Sequence, residues 1–222
     1  MFIIRAAIAL YCMLLQVEAN FSVGIRINRF YTSWNWCILC LYFIVAARES
    51  WKLMRANGGA AAESLVSRNG QLAVVLFHIC TTMAMYIDTI TWVALVPMLT
   101  TQNKDAEAAA RFAGIFYSFR SYNQHGVNLL FMLLDYSLNR IPYFPHMLGY
   151  IQLLSCAFGV WANIFYLIFD VWLYPFLDTS KPWAWEAYTA LFVSHWLFFL
   201  LFHVLMKVKQ YLEKGALVKK AA

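Results

Sequence analysis

Three side chains able to do chemistry interrupt the apolar run from Tyr122 to Arg140: His125, Asn128 and Asp135. An imidazole moves protons near neutral pH, an amide offers a donor and an acceptor, and a carboxylate orients or neutralises a partner. On a helix each residue turns by about 100°. His125 and Asn128 therefore lie one turn apart on one face, and Asp135 lies a heptad beyond Asn128. With Met132 they make one seam. Polar groups at membrane depth are costly and face a bundle interior or a cavity, so the seam is expected to point inward. A second stripe, Gln152, Cys156, Gly159, Asn163 and Asp170, puts small and polar residues close to one face. That is the pattern of close helix packing and interhelical hydrogen bonds. It is expected to face the seam, which makes Asn163 and Asp170 candidate binding residues beside His125, Asn128 and Asp135.

The plainest use of these groups is to hold helices together. A binding or catalytic pocket is the alternative. A metal would draw on His78, His125, His195, His203, Asp88, Asp135 and Asp170. Zinc needs three or four donors converging at about 2.0 to 2.3 Å, and no His-x-x-x-His pair preorganises two of them. No metal and no cofactor is expected. The chain shows no glycine-rich phosphate loop, dinucleotide fingerprint or serine elbow. Its five cysteines lie in apolar runs, and Cys37-x-x-Cys40 is read as two small apolar residues rather than a redox pair.

The elements that must position these groups follow from composition. The 222 residues are 63% hydrophobic, 18% aromatic and 13% charged, with a mean hydropathy of +0.60. A soluble domain is about half apolar and about a quarter charged, so one globular core has no room for this surface. The reading is an all-α, multi-pass membrane protein, a single domain over 1–222 and a six-transmembrane-helix bundle. The spans are expected at about residues 2–17, 33–47, 72–99, 112–138, 147–173 and 185–206. Val17-Glu18-Ala19 has the look of a signal-peptidase site, but a retained first helix is the expectation. Arg48 to Arg68 reads as the longest polar loop, broken by Gly58-Gly59, and Thr101 to Arg111 as a polar loop or short surface helix. Pro142 stops the fourth span, and Tyr174-Pro175 ends the fifth.

The net charge is +6 and the pI near 9.1. The basic residues collect in loops and in the tail Lys207, Lys209, Lys214, Lys219 and Lys220, which suits lipid headgroups and argues against nucleic acid. With six spans, lysines and arginines concentrate on the side of both termini and the Arg48–Arg68 loop, so both termini are expected on the cytosol-equivalent side. Endomembrane, plasma membrane and an organelle inner membrane all fit.

Several motifs carry a family resemblance. His125-Gly126-x-Asn128, then Leu133-Leu134-Asp135 and Asn139-Arg140-Ile141-Pro142, resembles the rolling-stone branch of the androgen-induced protein family. So does Tyr174-Pro175-Phe176-Leu177-Asp178 with Ser180-Lys181-Pro182-Trp183, and so does Trp34-Asn35-Trp36. The likeness covers roughly residues 31 to 206. It implies a six-helix membrane bundle. The family's other branch contains intramembrane hydrolases that cleave esters between fatty acids and hydroxy fatty acids, using a threonine nucleophile on the second span and a histidine on the fourth. The threonine position falls here on Ile38 counted from Trp34, or on Cys40 counted from Trp36, and the histidine position is Asn128. Asparagine does not take up and release a proton at neutral pH, so that mechanism does not carry over as it stands.

The expected function is accordingly a non-catalytic integral membrane protein. It would pack as an accessory subunit or scaffold against membrane lipids and other membrane subunits of a larger complex. One alternative is a fatty-acyl ester hydrolase with a divergent site. Cys40 (or Thr32 or Thr81) would be its nucleophile, His125 its base and Asp135 or Asp170 the orienting group. Another is a lipid-binding carrier or receptor.

Overall fold

The computed structural model describes residues 1–55 and 67–221, with side chains to residue 213. Every regular element among them is helical. The chain divides into two compact units, Met1–Leu138 and Asn139–Ala222.

The first unit begins with α1, Phe2–Ser22. Gly24, at φ 86°, turns the chain into a 3-10 segment, Ile25–Arg29; such a φ suits glycine, which has no Cβ to clash. Next come α2, Tyr31–Arg55, and α3, Arg68–Leu99. The Ser67 hydroxyl caps α3 by accepting from the Gly70 amide at 3.0 Å. After α3 follows α4, Ala106–Phe116, whose free amides at Glu107 and Ala108 are met by Asp105 Oδ1 at 3.0 Å. The unit ends with α5, residues 119–138, capped by Ser118.

The central element is α3. Every residue from 76 to 88 is buried, on all sides of the helix. A helix apolar all round belongs inside a bundle. Leu76, Phe77, Ile79, Met83 and Ile87 supply the apolar mass; α2 and α5 pack against α3, and α1 packs on α2. Trp36 on α2 donates its indole N–H to the Cys12 carbonyl of α1 at 3.1 Å. Tyr11 on α1 donates to Asn123 Oδ1 on α5 at 2.5 Å. Arg120 reaches Glu18 at 2.8 Å and Ser22 at 2.6 Å, tying the start of α5 to the end of α1.

In the second unit, α6, Leu148–Phe169, packs on α7, Ala184–Ala221. Gln152 donates to the Phe192 carbonyl at 3.2 Å, and the Tyr188 hydroxyl donates to the Leu177 carbonyl at 3.0 Å. On α6 only Ile151, Phe158, Ala162 and Phe165 are buried, a single stripe at spacings of seven, four and three. The other faces of α6 carry large exposed apolar side chains, among them Leu153, Leu167 and Ile168, as does α7 with Trp196 and Leu197. In the connection between the two helices, Ser180 hydrogen bonds, followed by Lys181, hold the Asp178 carboxyl below the usual carboxylate range.

Four helices are long and apolar enough to cross a membrane: Phe2–Ser22, Arg68–Leu99, Pro145–Phe169 and Ala184–Glu213. The chain therefore has the make-up of an integral membrane protein. The expected second and fourth spans are not among the four. In α2, Ser33 and Asn35 at one end and Arg48, Glu49, Lys52 and Arg55 at the other shorten the apolar stretch.

The expected boundaries shift in several places. The first helix runs on to Ser22 instead of ending at 17. The second does not stop at 47: Glu49 is buried and held by Lys52 at 2.8 Å and Ser67 at 3.4 Å, so the chain stays helical to Arg55. Gly58-Gly59 lies outside the described residues. The expected single helix over 112–138 is two, because the chain leaves α4 at Tyr117 and restarts after Ser118. The fifth ends at Phe169 and not near 173, with Asp170 in the left-handed conformation (φ 52°) as its terminator. The last helix continues past 206 to Ala221.

Candidate functional site

Asp135 is buried where α1, α2 and α5 meet. Arg5 on α1 holds it in a fork, Nε to Oδ1 at 2.6 Å and Nη2 to Oδ2 at 3.0 Å. Tyr42 on α2 donates its hydroxyl to the same Oδ2. The remaining Arg5 nitrogen, Nη1, donates to Ser50 Oγ at 2.7 Å, and Ser50 in turn donates to the Ala46 carbonyl at 2.8 Å. A buried charge is tolerable when paired and hydrogen-bonded, and this cluster meets both conditions. Both oxygens of Asp135 are engaged by the protein itself.

Further along α5 the helix opens into a π-turn over Asn123–Val127, with His125 at φ −132°, ψ 36°. α3 has its own π-turn at Ile90–Leu95. Beside the turn, the Trp92 indole donates to the His125 carbonyl. The imidazole Nδ1 shares a hydrogen bond with Thr91 Oγ1 at 3.0 Å. One turn away, Asn128 donates from Nδ2 to Asp88 Oδ1 at 2.9 Å. The two helices are thus joined by two rungs, Thr91–His125 and Asp88–Asn128. All four residues are buried.

A cleft of about 10 Å³ lies beside the second rung. Thr32, Asn35, Cys80, Gln124 and Asn128 contribute its polar or polarisable lining, and Trp36, Leu39, Met83, Ala84 and Ile87 the rest. A cavity of about 10 to 15 Å³ accepts one water molecule. An acyl ester is far larger.

The other expected nucleophiles stand elsewhere. Cys40 is half-buried, with its sulfur 3.9 Å from the Ala9 carbonyl of α1, and it does not line the cleft. Ile38, at the alternative position, is half-buried on α2. Thr81 donates back to the Phe77 carbonyl at 2.8 Å. All five cysteines are free thiols. Among the described residues no three His, Cys, Asp or Glu side chains come together as a metal site would need.

In the second unit the stripe on α6 splits. Asn163 donates from Nδ2 to the Gly159 carbonyl at 2.8 Å. Asp170, expected as a stripe residue, is exposed, because the left-handed turn swings it off the helix. Sequence reasoning passed over Ser155, which meets His195 Nε2 at 2.7 Å. The other ring nitrogen, Nδ1, is 2.6 Å from the Leu191 carbonyl. A carbonyl only accepts, so Nδ1 carries the hydrogen; in the neutral ring Nε2 then accepts from the serine hydroxyl.

No family model, curated protein or solved structure matches this chain.

Of the expected seam, His125, Asn128 and Asp135 are all buried as the 3.6-residue period requires, but each has a different partner. Arg5, Tyr42, Ser50, Thr91 and Trp92 are participants that were not foreseen. The signal for Arg5 lay in the sequence: an acid inside one apolar run needs a cation, and Arg5 is the one basic residue inside the first. Thr91 stands three positions after Asp88, the same offset as Asn128 from His125.

Proposed function

We propose that this chain is a non-catalytic, multi-pass membrane protein that packs as an accessory subunit or scaffold against lipid and neighbouring membrane proteins. It crosses the membrane six times, with α2 and α5 as the two less apolar spans and both termini on the cytosol-equivalent side. The rolling-stone branch remains the family it resembles, on the motifs of residues 31 to 206. The observation that carries this reading is the use made of the polar seam. Asp135 is taken by Arg5 and Tyr42, Asn128 by Asp88 and His125 by Thr91. These are helix-to-helix ties, and intramembrane hydrogen bonds such as Asn128–Asp88 and His125–Thr91 contribute about 0.6 kcal/mol each on average. The wide exposed apolar faces of α6 and α7 add support, since contiguous apolar surface marks contact with lipid or protein. Extraction from native membranes in mild detergent tests it. The chain is expected in a particle well above its own 25.7 kDa plus micelle, with the same companion subunits in each preparation. A lone chain counts against the subunit role.

A second reading, the ester hydrolase, is favoured by one geometric feature: an imidazole and a hydroxyl within hydrogen-bond reach at Thr91–His125. In this version Thr91 replaces Cys40 as nucleophile, and Asp135 plays no part. Loss of fatty-acyl ester turnover in purified His125→Ala protein supports it. Turnover that is absent, or unchanged by the substitution, ends it.

A further inference from the structure

The Asp88–Asn128 rung is one donor short. Asn128 gives its amide N–H to Asp88 Oδ1 at 2.9 Å, so its own Oδ1 is left as an acceptor. Asn128 Oδ1 and Asp88 Oδ2 are both buried, and neither has a hydrogen-bond partner among the described residues. Asp88 is 8% exposed and Asn128 7%. A carboxylate oxygen and an amide oxygen both accept, so neither serves the other unless one more hydrogen is present. Water does not meet the need of both. The cleft of about 10 Å³ is lined by Asn128 but not by Asp88, so a water held there reaches the amide at most.

A cation does not meet it either. Among the described residues Asp88 takes part in no ion pair. The charged groups of the helices packed on α3 are engaged elsewhere. On α5, Asp135 is held by Arg5, and Arg120 holds Glu18. His125, three positions before Asn128, is bonded to Thr91. On α2, Glu49 is held by Lys52 and by Ser67, the N-cap of α3. Asp88 lies beyond Ser67 by most of the length of α3, about 30 Å at about 1.5 Å per residue. Arg48, Lys52 and Arg55, at the Ser67 end of α2, are therefore out of its reach. A buried carboxylate without a counter-charge is among the costliest arrangements a protein interior can hold. The undissociated acid carries no charge and has an O–H to give.

We propose that the Asp88–Asn128 rung is a proton-binding site. Asp88 holds a proton on Oδ2 and donates it to Asn128 Oδ1, while its Oδ1 accepts the amide N–H. One hydrogen thus satisfies both remaining acceptors and removes the charge. Release of the proton to water leaves two acceptors opposed across α3 and α5, beside the π-turns at Ile90–Leu95 and Asn123–Val127, and loosens the two helices there. This site is independent of whether the chain is an accessory subunit.

Infrared spectroscopy of the purified full chain at neutral pH, in a detergent free of esters, tests the proposal. The wild type is expected to show the carbonyl stretch of one undissociated carboxylic acid. Asp88→Asn is expected to abolish that band. Asn128→Leu, which removes the acceptor, is expected to move it to higher frequency. A wild-type spectrum without the band overturns the proposal with no variant needed. A band that survives undiminished in Asp88→Asn, or that stays in place in Asn128→Leu, overturns it too. Thermal unfolding gives an independent reading. Asparagine at position 88 offers an N–H where the acid offers its O–H, so Asp88→Asn is expected to unfold close to wild type and Asp88→Ala well below it. A fall in Asp88→Asn as large as that in Asp88→Ala overturns the proposal.

Discussion

Arg5 and Asp135, 130 positions apart, meet in a two-pronged ion pair of 2.6 and 3.0 Å between α1 and α5. The pair is buried, and Tyr42 and Ser50 complete it from α2. One charge cluster thus holds three helices of the first unit. Removing one partner leaves the other charge buried and alone, which costs about 3 to 5 kcal/mol, whereas replacing both by apolar residues of similar volume is often neutral or better. Arg5→Met and Asp135→Leu are each expected to lower the unfolding midpoint strongly. The double variant is expected to recover most of the loss, and a denaturant titration of all four proteins in detergent measures the coupling.

The Trp92 indole donates to the His125 carbonyl within the π-turn over Asn123–Val127. Trp92→Phe keeps the ring and removes the donor. A buried carbonyl left without a partner costs about 1 to 3 kcal/mol. The variant is expected to lose stability in that range, and hydrogen exchange is expected to rise locally at residues 123–127. Unchanged exchange there would count against the role given to Trp92.

The Ser155–His195 bond is an interhelical tie in the second unit. Ser155→Ala is expected to destabilise by about 0.6 kcal/mol, and by no more than about 1.7, the range of such bonds within membranes. His195→Ala is expected to cost more, because it removes both ring hydrogen bonds, to Ser155 and to the Leu191 carbonyl, and opens a cavity. Unfolding midpoints of both variants check the order.

Much of this architecture was legible in the residues, and the gaps have physical causes. Apolar runs located the helices; His125, Asn128 and Asp135 are buried, although the π-turn over Asn123–Val127 breaks the 100° period between the first two. Periodicity does not report what lies across from a side chain, so the partners Arg5, Thr91 and Asp88 had to come from the fold. Local propensity did not announce the bulges either, and the Trp92 hydrogen bond to the His125 carbonyl comes from another helix. Helix α2 outran its apolar stretch because Glu49, charged and so read as loop, is buried and held by Lys52 and Ser67. Asp170 fell off its stripe through one left-handed residue, a conformation that the helical period does not encode.

The proposed six-span arrangement predicts sidedness. Epitope tags placed near residues 48 to 55 and after 222 are expected to share one side of sealed vesicles, and tags between 100 and 105 or between 178 and 183 the other. Protease protection reads this directly. A tag near residue 50 found opposite the tail contradicts the arrangement.

In the proposed role the imidazole–hydroxyl pairs Thr91–His125 and Ser155–His195 bind helices together instead of attacking esters. A lipid-tailed fluorophosphonate, applied to the purified chain and followed by peptide mass spectrometry, interrogates both pairs at once. The expected result is no adduct at Thr91 or Ser155 above the level seen in His125→Ala and His195→Ala proteins. A stoichiometric adduct on either hydroxyl that disappears with its histidine would contradict the account and make the chain an enzyme.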